Sequence, residues 1–178
     1  MKIKKFKYKI VNSTNDTAIN LIKKKKLKIG FIIADKQKKG KGQRGNKWIS
    51  YKGNLFVSIF FSLKKINLTM KELTIINAKL IIKLISRYYK NDIKLKLPND
   101  IIINKKKICG ILQEVIYINN IKYLIVGIGL NLIKSPSIKL YPTTNLYDLT
   151  NTKISVYKIS KELMKIYETF LISRRVIK

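Results

Sequence analysis

The chain has 178 residues, 46% of them apolar, enough for one domain that buries roughly 70% of its unfolded surface and too few for a second full domain. Lys and Arg total 39 against 9 Asp and Glu, a formal charge of +30, and Arg stands only at positions 44, 87, 174 and 175, so the basicity is lysine. There is no His, which excludes imidazole acid–base catalysis, Ser–His and Cys–His nucleophile pairs and most zinc sites.

The lone thiol, Cys109, has no internal disulfide partner, in keeping with a reducing compartment. The amino terminus MKIKKFKYKI lacks a continuous apolar stretch, and the longest nearly uncharged apolar run, 123–133, has about half the length that spans a bilayer. The expectation is a cytoplasmic protein with no membrane partner. A charge of +30 raises nucleic-acid binding. The lysines are spread along nearly the whole chain, however, and Arg, the usual bidentate reader of bases, is scarce, so an evenly solvated basic surface with no specific DNA partner is expected.

Residues 4–11 alternate apolar and basic, as a half-buried strand does, and lead into Asn12-Ser13-Thr14-Asn15, a cluster of helix N-cap residues. Ala18, Ile19, Leu21 and Ile22 mark the apolar stripe of that helix. Residues 31–34 read as a buried strand, 35–53 as a long glycine-containing loop, and 55–63 as another strand. Thr69-Met70-Lys71-Glu72 fits a capping box opening a helix. Strands follow at 93–96, 100–103, 108–118 and 123–128, with Asn119-Asn120 suited to a two-residue hairpin turn, and an amphipathic helix spans 155–170. The expected class is α+β: a mixed, largely antiparallel central sheet covered by helices.

Four segments carry candidate chemistry. The loop 37–48, QKKGKGQRGNKW, combines close-spaced glycines with Lys41, Arg44 and Lys47, a composition that grips phosphate, although a flexible surface loop would share it. It is neither a Walker loop nor a Rossmann fingerprint. In Lys96-Leu97-Pro98-Asn99-Asp100 the proline fixes a turn that displays Lys96, Asn99 and Asp100 together, as an ordinary turn also does. Residues 105–114 lead from a basic turn into a strand, where Gly110 suggests a bulge or a close ligand. In 127–131, GIGLN, two glycines in a buried strand leave room for something flat or for a packed neighbour.

Taken in order, these segments resemble the catalytic domain of the biotin protein ligases, similar in fold to the class II aminoacyl-tRNA synthetases. Ser13-Thr14-Asn15 resembles that family's STN, residues 37–48 its Q-x-x-G-R-G-R-x-G-R-x-W, residues 96–100 its KWPND, residues 107–112 its K-[LIV]-x-G-I-L, and residues 127–131 its G-x-G-x-N. The resemblance implies ATP-dependent attachment of biotin, through biotinyl-5′-adenylate, to a lysine of a biotin carboxyl carrier protein, a subunit of acetyl-CoA carboxylase. It implies Lys96 between the biotin carboxylate and the α-phosphate, with Lys107 on the same carboxyl region. Ser13, Thr14, Asn15, Gln37, Gly40, Lys41, Gly42, Gln43 and Lys107 would form the biotin site. Lys41, Arg44, Trp48, Asn99, Asp100 and Asn131 would form the ATP site, with Mg²⁺ on the phosphates and its ligands unassigned.

Leu97 stands where that family has Trp, Gln43 where it has a second loop Arg, and Lys41 and Asn46 where Arg is usual. Residues 1–178 are expected to form a single catalytic domain with no N-terminal helix-turn-helix and no C-terminal SH3-like domain, acting as a monomer or homodimer. A lipoate–protein ligase and a basic nucleic-acid-binding module are the alternatives.

Overall fold

A computed structural model describes residues 3–177. Seven strands form one sheet in the order β1-β2-β3-β7-β6-β5-β4, comprising β1 (Lys5–Val11), β2 (Ile29–Gln37), β3 (Leu55–Ser62), β4 (Ile93–Lys96), β5 (Asp100–Ile103), β6 (Lys106–Ile118) and β7 (Ile121–Leu130). Only β1 and β2 pair in parallel, joined by helix α1 (Thr14–Lys25); every other neighbouring pair is antiparallel. The mixed, largely antiparallel sheet is the expected one.

Period-2 alternation sorts the strands onto two faces. In β7, Leu124, Val126, Ile128 and Leu130 enter a large core shared with α2 (Met70–Ile85) and α4 (Val156–Ser173). Tyr123 and Ile125 point the other way, into a smaller core under α1 with Ala18, Leu21 and Ile22. Gly127 and Gly129 continue that second face beyond the end of the α1 packing and leave a stretch of sheet without side chains.

Local signals act where expected. The Ser13 hydroxyl caps α1 by accepting from the Asp16 N–H, and Thr69 and Glu72 form a complete capping box on α2. Asn119 and Asn120 turn the β6–β7 hairpin with φ of 49° and 59°, and Asn104 and Lys105 make the same turn between β5 and β6 with 49° and 61°. Several boundaries differ from the sequence reading, β2, β6 and β7 beginning two residues earlier and β7 ending two later, at Leu130. The segment expected to loop from residue 35 continues as strand to Gln37, because β1 pairs with it as far as Val11. A short helix α3 (Leu146–Thr150), capped by Asn145, was not anticipated, and α4 runs to Ser173. Among the described residues no helix is long and apolar enough to cross a membrane.

Candidate active site

A cavity of about 260 Å³ opens over the bare stretch of sheet and lies near the lower end of the usual range for small-molecule sites. Ser13, Thr14 and Asn15 of α1, Gln37 of β2, the loop from Lys41 to Trp48, Pro98 to Asp100, Lys107 and Tyr141 line it.

One wall is the first turn of α1. The Thr14 N–H and hydroxyl both donate to Gln37 Oε1, at 2.8 and 3.1 Å, tying the helix start to the end of β2. Asn15 is buried and fully engaged: its Nδ2 donates to Glu114 Oε2 at 2.6 Å, and its Oδ1 accepts from the Ser58 hydroxyl. A Cβ on Gly127 would stand 2.5 Å from Asn15 Oδ1, so this glycine makes room for Asn15 itself. Asn15 is therefore a post that holds the helix turn over the sheet. Glu114 and Ser58, which complete it, carry no sequence signal because strands distant in the chain bring them there.

The glycine loop is a small hairpin. Lys41 and Lys47 pair across it, the Gly42 N–H donates to Asn46 O at 2.7 Å, and the Trp48 N–H donates to Gly40 O at 2.9 Å. Gln43, Arg44 and Gly45 form its tip, a tight turn with Arg44 and Gly45 in the left-handed region at φ 54° and 78°. Lys41 reaches back to Asp16 on α1, and this hydrogen bond raises its pKa above the ordinary lysine value. Gly40 supports the loop from outside the cavity, packed against Trp48 and Gln37.

Trp48 is the flat object for which the glycines leave space. A Cβ on Gly129 would fall 2.3 Å from its indole, and one on Gly110 would fall 2.6 Å from it. Among the described residues the indole Nε1 is buried without a partner, and so is Asn131 Oδ1, while Asn131 Nδ2 holds Thr144 O at 3.1 Å. Trp48 and Asn131 share a smaller pocket with Lys107, Tyr141 and Thr143, adjoining the main cavity. An unmet buried donor and acceptor each cost roughly 1–3 kcal/mol, so a donor and an acceptor left unmet on residues that share one pocket suit a ligand with a polar edge.

Lys107 is held on three sides. Its Nζ lies 2.8 Å from Asp100 Oδ1, and 5.4 and 5.0 Å from the ring centroids of Trp48 and Tyr141. Its side chain is only 14% exposed. A register shift in the β5–β6 ladder directs it there: Ile101 pairs with Cys109 and Ile102 with Lys107, leaving Ile108 as the extra residue of a bulge. Ile108 and Cys109 then both enter the large core, and Lys107 and Gly110 both face the cavity.

Lys96 is placed differently from the sequence reading. It sits on β4, the edge strand, opposite Asp100, with an exposed side chain outside the cavity. Ile93 and Leu95 of the same strand pack on the core, and alternation turns Lys94 and Lys96 outward one strand beyond the cavity wall. Of the two lysines that the resemblance places at the carboxyl region, Lys107 lines the cavity and Lys96 does not. Asn131 likewise faces the adjoining pocket, not the main cavity.

Besides Glu114 and Ser58, three residues of this site escaped the sequence reading. Tyr141 flanks Lys107. Asn54 Oδ1 accepts from the N–H groups of Leu132, Ile133 and Lys134, at 3.0, 3.0 and 3.3 Å, and so clamps the segment that carries Tyr141. Thr143 is bridged to Lys107, whose N–H donates to Pro142 O at 2.9 Å.

Comparison with known proteins agrees with this geometry. Residues 8–131 match the model of the biotin/lipoate A/B protein ligase family. The chain is 30% identical over 130 residues to the bifunctional ligase/repressor BirA of Bacillus subtilis, covering 72% of this chain and 40% of that protein, and 28% identical over 126 residues to BirA of Escherichia coli, covering 69% and 39%. It thus spans about 40% of the length of these curated relatives. In structure it is similar to the biotin protein ligase of Aquifex aeolicus in complex with biotin and ATP, with a TM-score of 0.80 and 26% identity over 95% of this chain and 70% of that one. The chain belongs to the biotin/lipoate A/B protein ligase family, and within that family it is similar to the biotin protein ligases.

Proposed function

We propose that this chain joins biotin to ATP and passes the biotinyl group to a lysine of a biotin carboxyl carrier protein. In the first step a carboxylate oxygen of biotin attacks the α-phosphorus of ATP, pyrophosphate leaves, and biotinyl-5′-adenylate is held in the cavity. In the second, the neutral ε-amine of the carrier lysine attacks the acyl carbon, AMP leaves, and the amine proton passes to solvent. Neither step needs imidazole.

The observation that carries this reading is Lys107, a cation held on the cavity wall where carboxylate and phosphate must meet. Bringing two anions together requires a fixed positive charge, and one already positioned costs nothing to reorganise during the reaction. Ser13, Thr14 and Gln37 shape the biotin end of the cavity. Arg44, Trp48, Asn99 and Asn131 surround the nucleotide end, where the free Trp48 N–H and Asn131 oxygen offer a donor and an acceptor to a base. Among the described residues no group of three or more His, Cys, Asp and Glu is placed to hold a metal. Mg²⁺ accordingly belongs to the ATP phosphates in this scheme and not to a protein cage. Residues 1–178 act as one catalytic domain, in the cytoplasm, where the free, buried thiol of Cys109 stays reduced.

Biotin over lipoate is favoured by the relatives: the solved A. aeolicus ligase holds biotin and ATP, and the glycine loop and the KLPND segment resemble the motifs of that branch. The test is exchange of labelled pyrophosphate into ATP. Exchange that requires biotin is expected; exchange with lipoate and none with biotin overturns the reading.

A further inference from the structure

The end of the sheet remote from the cavity is a pole of unpaired lysines. Helix α1 ends there in the lysine run 23–26, followed by Lys28 at the entry to β2. The Ser62 N–H donates to Lys28 O at 3.0 Å, which brings the turn with Lys64 and Lys65 alongside. The Leu63 N–H donates to Lys122 O at 2.8 Å, and the Phe31 N–H to Lys4 O at 2.9 Å, adding one lysine from each side. All of these side chains are exposed except that of Lys122, which is half-buried. From Gly110 at the cavity, β6 runs to Ile118 at this end, roughly 25 Å at about 3.3 Å per residue.

No Asp or Glu occurs in residues 17–34, 55–71 or 115–147. The ion pairs among the described residues involve Lys41, Arg87, Lys94 and Lys107, and none of the lysines at the pole. The dipole at the end of α1 is equivalent to about half a negative charge, far less than four lysines answer. Among the described residues no carboxylate pairs with these lysines.

We propose that the pole binds the phosphate backbone of single-stranded nucleic acid without sequence preference. Charge complementarity supplies the attraction, through release of the counterions condensed on the strand. A stacking platform adjoins it: Tyr117, at the end of β6, is 69% exposed, lies opposite Lys122 in the hairpin, and has the Lys122 ammonium 5.8 Å from its ring. Stable anchoring in an anionic bilayer adds inserted apolar side chains to the basic cluster, whereas Leu27, Leu63, Ile118 and Ile121 in these segments are half-buried against the two cores. Absence of Arg from the pole removes the usual bidentate reader of bases, hence no sequence preference.

The experiment is fluorescence anisotropy with a labelled mixed-sequence single-stranded RNA across a range of salt. Three proteins are compared: the parent chain, a pole variant with Lys23, Lys24, Lys25 and Lys26 all changed to Gln, and a control with Lys79, Lys83, Lys153 and Lys165 all changed to Gln, which removes the same charge elsewhere. Each phosphate contact contributes about 0.7 to the slope of log affinity against log salt, so the pole variant should lose roughly 2–3 from that slope and more than about tenfold in affinity at low salt. The control should stay within about twofold. Tyr117→Ala should weaken RNA binding about fivefold with the slope unchanged. Equal loss in the pole and control variants would mean binding by net charge alone and overturn the proposal. Pole-dependent binding that is tighter to phosphatidylserine vesicles than to RNA would also overturn it. The pole variant should keep parental biotin-dependent pyrophosphate exchange, so this result stands apart from the ligase reading.

Discussion

Lys107 Nζ and Asp100 Oδ1 lie 2.8 Å apart across the β5–β6 ladder only because one extra residue, Ile108, is inserted between them and the regular register. Without the bulge Lys107 would pair opposite Ile103 and point into the large core. The pair sits in a partly desolvated wall, with exposures of 14% and 22%, where the Asp100 carboxylate offsets the Lys107 charge.

From this arrangement the two candidate lysines separate. Lys107→Ala is expected to slow biotinyl-adenylate formation by a factor on the order of 10²–10³, the usual cost of removing one fixed donor to developing charge. Lys96→Ala, on the edge strand outside the cavity, is expected to stay within about fivefold of the parent. Single-turnover adenylate formation measures both; a larger loss in Lys96→Ala would return the central role to that residue.

Trp48 is the one tryptophan of the chain, so its fluorescence reports on the cavity alone. ATP binding is expected to change its intensity through contact with the ring or its free N–H. Gly129→Ala would place a methyl 2.3 Å from the indole and force the ring away. That overpacking is expected to cost roughly 1–3 kcal/mol of stability and to shift the ATP titration to higher concentration. A parental titration curve in Gly129→Ala would show that nucleotide does not depend on the position of Trp48.

At the tip of the glycine loop, Gln43 lines the cavity as a neutral residue beside Arg44. A charge-assisted hydrogen bond contributes roughly 1.5–3 kcal/mol against about 0.5–1.5 for a neutral one. Gln43→Arg is therefore expected to slow escape of biotinyl-adenylate several-fold without raising its rate of synthesis. Unchanged escape in Gln43→Arg, with faster escape in Arg44→Ala, would assign the contact to Arg44.

Glu72 gives a pH dependence of stability. Its Oε2 accepts from the Thr69 N–H and hydroxyl at 2.7 and 2.8 Å, and the backbone bond first, then the hydroxyl, holds its carboxyl below the ordinary 4.5. The folded state therefore binds fewer protons than the unfolded one, so the stabilisation is present above 4.5 and is lost as pH falls through the lowered folded value. The gap in melting temperature between parent and Glu72→Gln should be full at neutral pH and shrink in acid. A gap that stays constant down to acid pH would contradict the capping role of the charge.

What the sequence showed and what it hid divide along the range of the interactions. Ser13, Thr69 with Glu72, and Asn119-Asn120 act on backbone groups within four residues, so their types and spacing were sufficient. The glycines of β7 were recognisable as space, but their occupants, Asn15 and Trp48, arrive from α1 and the loop. That Lys107 and not Lys96 lines the cavity was invisible because it depends on the register between β5 and β6 and on which strand forms the edge. Asn54, Glu114 and Tyr141 matter through partners dozens of residues away.

The most direct test is the intact mass of an isolated biotin carboxyl carrier domain after incubation with this protein, biotin, ATP and Mg²⁺. The expected result is a gain of one biotinyl group that requires ATP, disappears when the acceptor lysine of the carrier is replaced by Arg, and is lost with Lys107→Ala. An unmodified carrier under the same conditions, with the parent protein folded and its cavity intact by Trp48 fluorescence, would contradict the assignment of biotin transfer to this chain.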